Sequence, residues 1–146
     1  NTPALVGEGI TGVCKNNLVT EDEFAYVLKL LSSFGLAEAI PESLMDAVVS
    51  VSGSSPAYVF LFIEAMADAA VADGMPRAQA YKFAAQAVLG SAKMVLETGK
   101  HPAELKDMVC SPAGTTIEAV RVLEEKGFRG AVMDAMKACT AKAKGI

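Results

Sequence analysis

One stretch of this chain limits its fold more than any other. Between positions 57 and 72 the only charged residues are Glu64 and Asp68, while Val59, Phe60, Leu61, Phe62, Ile63 and Met66 wrap the remaining faces. A helix that is apolar on nearly every side must be enclosed on most of them. Two carboxylates interrupt it well short of the roughly 20 apolar residues of a membrane span, and no basic flank follows, so the enclosure is expected from protein. A second long helix, expected over positions 76 to 98, carries Ala78, Tyr81, Ala84, Ala85, Val88, Ala92, Val95 and Leu96 on its buried side. A chain of 146 residues is too small to cover two such helices alone. The expectation is an intertwined homodimer with these helices near its centre.

The other helices announce themselves by their ends. Thr20-Glu21-Asp22-Glu23 reads as a capping box, and Phe24, Val27, Leu28, Leu31 and Phe34 form one stripe that stops at Gly35, predicting a helix over about 21 to 34. Ahead of it, Gly7, Gly9, Gly12 and Asn16-Asn17 among short β-branched runs read as strand or loop. Positions 36 to 40 form another short extended stretch, and Pro41 suits the first turn of a helix running to about 51. Ser55-Pro56 reads as a fresh start, with serine as N-cap and proline at the first helical position. His101-Pro102 opens a short helix to about 109, and Thr115-x-x-Glu118 reads as a second capping box ahead of Ile117, Val120 and Leu123. A last helix over about 129 to 142 places Val132, Met133, Met136 and Cys139 inward. The fold class is all-α: a helical bundle with a short extended N-terminal segment, one domain over residues 1–146.

Charge and composition narrow the partners. Thirteen basic against seventeen acidic side chains leave a formal net charge of −4, which lacks the footprint of a nucleic-acid or anionic-membrane binder. Three widely spaced cysteines, Cys14, Cys110 and Cys139, and one histidine suggest no disulfide framework and no metal site, and fit a cytoplasmic protein. No secretory signal pattern follows Asn1.

Several motifs invite chemistry and are weighed against plainer readings. Gly7-Glu8-Gly9-Ile10-Thr11-Gly12 matches the G-x-G-x-x-G of dinucleotide sites, but no helix with an apolar face follows Gly12, so a glycine-rich strand is favoured. Glu64 and Asp68 lie on one helix face without a second carboxylate pair, which favours a solvated face over a metal site. His101 reads as a capping side chain, and Cys110 has no histidine partner to make it a nucleophile. The loop Cys110-Ser111-Pro112-Ala113-Gly114-Thr115-Thr116 is the informative one. Pro112 and Gly114 permit a sharp turn, and Thr115 and Thr116 set hydroxyls and free amides at a helix start, where a carboxylate or phosphate binds well. On spacing alone a plain loop with a capping box is the favoured explanation.

At this loop a family resemblance enters. Leu105-Lys106-Asp107-Met108-Val109-Cys110-Ser111-Pro112-Ala113-Gly114-Thr115-Thr116-Ile117-Glu118-Ala119 strongly resembles the signature segment of the pyrroline-5-carboxylate reductases, the last enzymes of proline synthesis. Asn1-Thr2-Pro3-Ala4, Ser52-Gly53-Ser54-Ser55-Pro56-Ala57-Tyr58 and Glu97-Thr98-Gly99-Lys100-His101-Pro102 are similar, in the same order, to further segments of that family. The resemblance spans essentially the whole chain. It departs at Ser55 and at Ala113, where the family usually has glycine, and Ala113 bears on how closely the loop follows the family's backbone path.

The resemblance implies a fold like the C-terminal helical domain of 6-phosphogluconate dehydrogenase-like enzymes, dimerising through interlocked helices. Residues 1–20 would then be an extended connection from an N-terminal Rossmann domain that holds NADPH or NADH and is missing here. It implies reduction of the C=N bond of 1-pyrroline-5-carboxylate to give L-proline, with this chain alone inactive. By position, the amides of Gly114 and Thr115 would bind the substrate carboxylate and the Thr116 hydroxyl would hydrogen-bond the ring nitrogen, as the catalytic contact. Ser111 would hold the loop, Val109 would touch the ring, and Asn1 would lie near the nicotinamide. The implied partners are that substrate and further copies of the chain, as a dimer or higher homo-oligomer, without metal, nucleic acid or membrane. Two readings stay open beside it: a catalytically silent helical dimerisation module, and another hydroxyacid or imine reductase of the same helical superfamily.

Overall fold

The computed structural model describes residues 1–145. They fall into two compact units, one holding residues 1–58 with the chain from 133 onward, the other residues 59–132.

The first unit opens with a 3-10 turn, Thr2–Val6, closed by Gly7 in the left-handed conformation at φ 79°. Strand β1, Gly9–Val13, follows. Helix α1, Glu21–Leu31, starts at the expected capping box: the Thr20 hydroxyl accepts from the Glu23 amide, and the Glu23 carboxylate accepts from the Thr20 amide at 2.9 Å. A 3-10 turn, Ser32–Phe34, leads into strand β2, Gly35–Ala39, which pairs in parallel with β1, Gly9 opposite Gly35 and Val13 opposite Ala39. The extended segment expected over residues 1–20 is thus a strand only in part, and its partner arrives after α1. A Cβ on Gly35 would stand 2.0 Å from the Gly9 carbonyl oxygen, and one on Gly9 would stand 2.8 Å from the Ala4 methyl. Of the G-x-G-x-x-G match, Gly7 closes a turn while Gly9 and Gly12 lie in the strand, where close neighbours leave little room for a side chain.

The separate helices expected on either side of Ser55-Pro56 are one continuous run, Glu42–Ala72. It passes through a 3-10 turn, Glu42–Leu44, helix α2, Met45–Val48, a π turn, Val49–Gly53, and helix α3, Ser55–Ala72. Ser55 is not an N-cap, because its hydroxyl donates backwards to the Val51 carbonyl at 2.6 Å. The Ser52 hydroxyl likewise donates to the Val48 carbonyl at 3.0 Å. Pro56 has no N–H for the Ser52 carbonyl four residues earlier. The Asn1 side-chain amide supplies that donor at 2.9 Å, so side chains mend the ladder that proline breaks and the helix continues. The C-terminal part of helix α7, Phe128–Ala143, is tied to the same turn: Thr140 donates to buried Ser50 at 2.9 Å, and Cys139 to Ser54 at 3.3 Å.

In the second unit helix α4, Arg77–Thr98, ends at Gly99 with φ 63°, and helices α5, Pro102–Val109, and α6, Thr115–Glu125, flank the loop. The buried apolar side chains are few and small: Ala67, Ala80 and Ala84. Side chains expected inward stay exposed, Leu61 at 67%, Leu96 at 70% and Met133 at 69% among them. The accessible surface is 10648 Å², against about 7,100 Å² for a self-contained folded chain of this mass. By length and hydropathy the run Glu42–Ala72 would also reach across a bilayer. Its apolar surface is a face in search of a cover.

Candidate functional site

The loop between α5 and α6 is shaped by its own sequence. His101 caps α5 as expected, Nδ1 accepting from the Ala103 amide at 3.1 Å. At the other end Cys110 takes φ −87° and ψ 86°, turning the chain out of the helix while its amide still reaches Lys106 and Asp107. Ser111-Pro112-Ala113-Gly114 then forms a β-turn closed by the Gly114 amide on the Ser111 carbonyl at 3.0 Å. Proline at the second position and a positive φ of 57° at Ala113, the third, define it as a type II turn. The third position usually belongs to glycine.

The turn delivers an uncapped helix start. The second capping box, expected from Thr115 and Glu118, does not form: Gly114, extended at φ −78° and ψ 168°, is the N-cap, and no side chain caps the helix. The helix begins one residue early, which moves Glu118 out of reach. Its carboxylate instead takes the Arg121 guanidinium, with Nη2 at 2.7 Å, and that ion pair holds its pKa below the ordinary carboxylate value. The first-turn amides of Thr115, Thr116 and Ile117 are left free of a side-chain cap, with the positive end of α6 behind them. Thr116 is half-buried and Thr115 exposed, and neither hydroxyl is hydrogen-bonded among the described residues. The Gly114 amide, by contrast, is occupied in closing the turn.

Two other expected residues belong to the same unit. A Cβ on Gly114 would stand 2.3 Å from Ser111 Oγ and 3.1 Å from its carbonyl oxygen, so Ser111 packs directly against the glycine. Val109, 64% exposed at the end of α5, lines a cavity of about 310 Å³ with Met94, Val95, Leu105 and Lys106. Val109, Ser111, Gly114, Thr115 and Thr116 are therefore brought together as one short segment. Asn1 belongs to the other unit, where both ends of its carboxamide are in use: Nδ2 donates to Ser52 and Oδ1 accepts from the Ile10 amide at 3.1 Å.

The remaining candidates have structural roles. Asp68 pairs with Arg77, which also lies over the Tyr81 ring, and Glu64 is exposed. Among the described residues no group of three His, Cys, Asp or Glu side chains could hold a metal ion. Sequence reasoning missed the knot of Cys139, Ser54 and Tyr58. Hydrogen bonding with Ser54 and then with Tyr58 holds the Cys139 thiol below its ordinary pKa, and the same contact with Cys139 pushes the Tyr58 hydroxyl up. These residues are 85 positions apart at Ser54 and Cys139, and no local spacing signals the pairing.

A family model described as pyrroline-5-carboxylate reductase dimerisation matches residues 42–146. The chain is 70% identical over all 146 residues to the pyrroline-5-carboxylate reductase of Escherichia coli K12, covering 54% of it. It is 51% identical over 146 residues to that of Methanosarcina acetivorans, again covering 54%. Among solved structures, the Plasmodium falciparum pyrroline carboxylate reductase with NADP bound superposes with TM-score 0.92 at 38% identity, over 99% of this chain and 58% of that one. The Coxiella burnetii pyrroline-5-carboxylate reductase gives 0.95 at 36% identity, over 99% and 54%. The chain thus spans about half the length of the curated relatives it matches.

Proposed function

Because the chain belongs to the pyrroline-5-carboxylate reductase dimerisation family, we propose that it is the dimer-forming and substrate-holding half of an enzyme that reduces 1-pyrroline-5-carboxylate to L-proline. The observation that carries this reading is the uncapped start of α6 behind a type II turn, within a segment matching the family model. Free amides and a helix dipole suit a carboxylate, which the substrate bears. With the Gly114 amide turned onto Ser111, the Thr115 and Thr116 amides take over as its donors. The Thr116 hydroxyl, half-buried and unengaged, then reaches the ring nitrogen, and Val109 offers the ring an apolar wall. The chain's contribution is to fix the ring's orientation and to steady the nitrogen as its bond order changes.

A nicotinamide cofactor, NADPH or NADH, supplies the hydride in this reading. The residues of this chain do not fit a dinucleotide: Gly7 closes a 3-10 turn, Gly9 packs on Ala4 and Gly12 on Ile40 and Val48, and the chain after Gly12 runs to the end of a strand rather than into a helix. Cofactor binding therefore falls to the part of the relatives' length outside this match. The pair β1 and β2 with α1 between them supports this, because two parallel strands are too few to stand alone and are normally part of a larger sheet. In this reading residues 1–41, outside the family match, supply two strands to that sheet, and residues 1–20 remain the connection to it. The exposed α3 and α4 faces are covered by a second copy; an excess of about 3,500 Å² on each chain is ample for an obligate interface, whose total over both partners runs from about 2,000 to beyond about 5,000 Å². A cytoplasmic setting accords with three free cysteines.

The test is steady-state oxidation of NADPH and of NADH by the longer enzyme with pyrroline-5-carboxylate, comparing wild type with a variant whose α6 start is blocked, Gly114→Val. Substrate-dependent oxidation that the variant loses is expected. A wild type that forms dimers but oxidises neither cofactor would leave only the silent dimerisation module.

A further inference from the structure

The geometry points to Ala113 as the residue that sets how much of the loop stands ready for substrate, with part of the substrate's binding energy consumed in holding its backbone left-handed. This rests on the reductase reading of the same loop. Among the described residues Ala113 is the one non-glycine with positive φ, at 57°; every other such position is a glycine. It lies two residues before Thr115, in the turn that aims the start of α6.

Two turns are open to Ser111-Pro112-Ala113-Gly114. Proline fixes the second position equally well for either, and both keep the Gly114 amide on the Ser111 carbonyl. They differ by a flip of the peptide between Pro112 and Ala113, which exchanges a C=O for an N–H on each face of the turn. Type II needs a left-handed third residue, which an L-side chain disfavours, and type I does not. An alanine therefore draws the loop toward type I, and the observed type II is the form its own sequence opposes. Sparsely populated backbone held in place at a binding loop is where strain and function coincide. Since the flip changes which backbone dipoles face the anion beside the free amides, only one form presents the full donor set. A site whose competent form is only fractionally populated binds with its affinity reduced by that fraction.

The experiment is kinetics on the longer enzyme with Ala113→Gly, Ala113→Asn and Ala113→Val, reading KM for pyrroline-5-carboxylate and kcat separately. Glycine and asparagine tolerate the left-handed region and valine does not. KM is expected to fall about 5-fold for glycine, less for asparagine, and to rise for valine, with kcat held within about 2-fold. Asparagine is larger than alanine, so an order set by size instead of backbone preference places it on the other side of wild type. A KM that stays flat across the series, or that follows side-chain volume, overturns the inference even if thermal stability shifts. Should the valine variant fail to fold, glycine and asparagine decide the question. Absence of turnover by wild type overturns the reductase reading and this inference together.

Discussion

The side-chain amide of Asn1 donates to the carbonyl oxygen of Ser52 at 2.9 Å, the acceptor that the amide of residue 56 would take in an unbroken helix and that Pro56 leaves vacant. Through the same carboxamide, the Ile10 amide of β1 is held at 3.1 Å. One residue thereby fastens the strand to the π turn, and the two Ser hydroxyls on Val48 and Val51 complete the repair.

Asn1→Ala should destabilise the fold by about 0.5–1.5 kcal/mol, the usual net worth of a hydrogen bond that is not deeply buried. Asn1→Asp should cost at least as much, because it keeps the acceptor for Ile10 but sets an oxygen against the Ser52 carbonyl. Pro56→Ala restores the missing amide, so the cost of Asn1→Ala in that background should shrink. Urea unfolding of the four members of the cycle measures the coupling. Additive effects would show that Asn1 does not serve the carbonyl left by Pro56.

The capping box of α1 makes a pH prediction. The Thr20 amide, then the Thr20 hydroxyl, hold the Glu23 carboxylate below its ordinary pKa. A depressed folded-state pKa means the stabilisation is complete above the unfolded value and fades as pH falls through the folded one. Glu23→Gln should therefore melt below wild type at neutral pH, with the gap closing in acid. A gap that does not change with pH would mean the carboxylate's charge plays no part in the cap.

Leu61, Phe83 and Leu96 remain 67%, 68% and 70% exposed, while among the described residues the buried hydrophobic side chains are three alanines. Light scattering on this chain should give twice its 15.2 kDa or a higher multiple. A helical monomer at micromolar concentration would leave these faces unexplained and remove the oligomer from the proposal.

Calorimetry of this chain with NADH and with NADPH should show no tight binding, because Gly7 closes a 3-10 turn and Gly9 and Gly12 lie in the strand that pairs with β2. Low-micromolar affinity for either nucleotide would return the G-x-G-x-x-G match to consideration.

The readable part of this fold is the part specified by neighbours in sequence. Thr20 and Glu23 meet because they are three apart, His101 caps because it precedes a proline, and Gly99 ends α4 because only a left-handed residue closes it there. Where a second signal competes, local reading fails. Ser55-Pro56 looks like a helix start because proline is harmless there. Nothing near it reveals that Asn1, 51 positions before Ser52, takes the orphaned Ser52 carbonyl and lets the helix run on. Thr115 and Glu118 have the right spacing for a box, yet Gly114 starts the helix first and Arg121 captures the carboxylate. The pairing of β1 with β2 depends on register across α1, which a strand of five residues does not announce.

Thr116 carries the sharpest prediction. It occupies the second position of α6, half-buried, with a hydroxyl that no described residue engages. Its β-branched side chain has few rotamers at a helix start, so the hydroxyl is held in place before the substrate arrives. In the longer enzyme Thr116→Val keeps that shape and removes the hydroxyl proposed to bond the ring nitrogen. Loss of one hydrogen bond to a group that carries charge during reduction should cost about 1.5–3 kcal/mol, or about 10- to 150-fold in kcat/KM. Because the hydroxyl caps nothing, melting temperature and dimerisation should stay near wild type. Thr116→Ser, which keeps the hydroxyl and gives up the rotamer restriction, should recover most of the lost activity. A valine variant with wild-type kcat/KM would leave the hydroxyl without a role in the reaction, and one that fails to fold or dimerise would make it structural. Either result would move the ring-nitrogen contact to another residue of the loop.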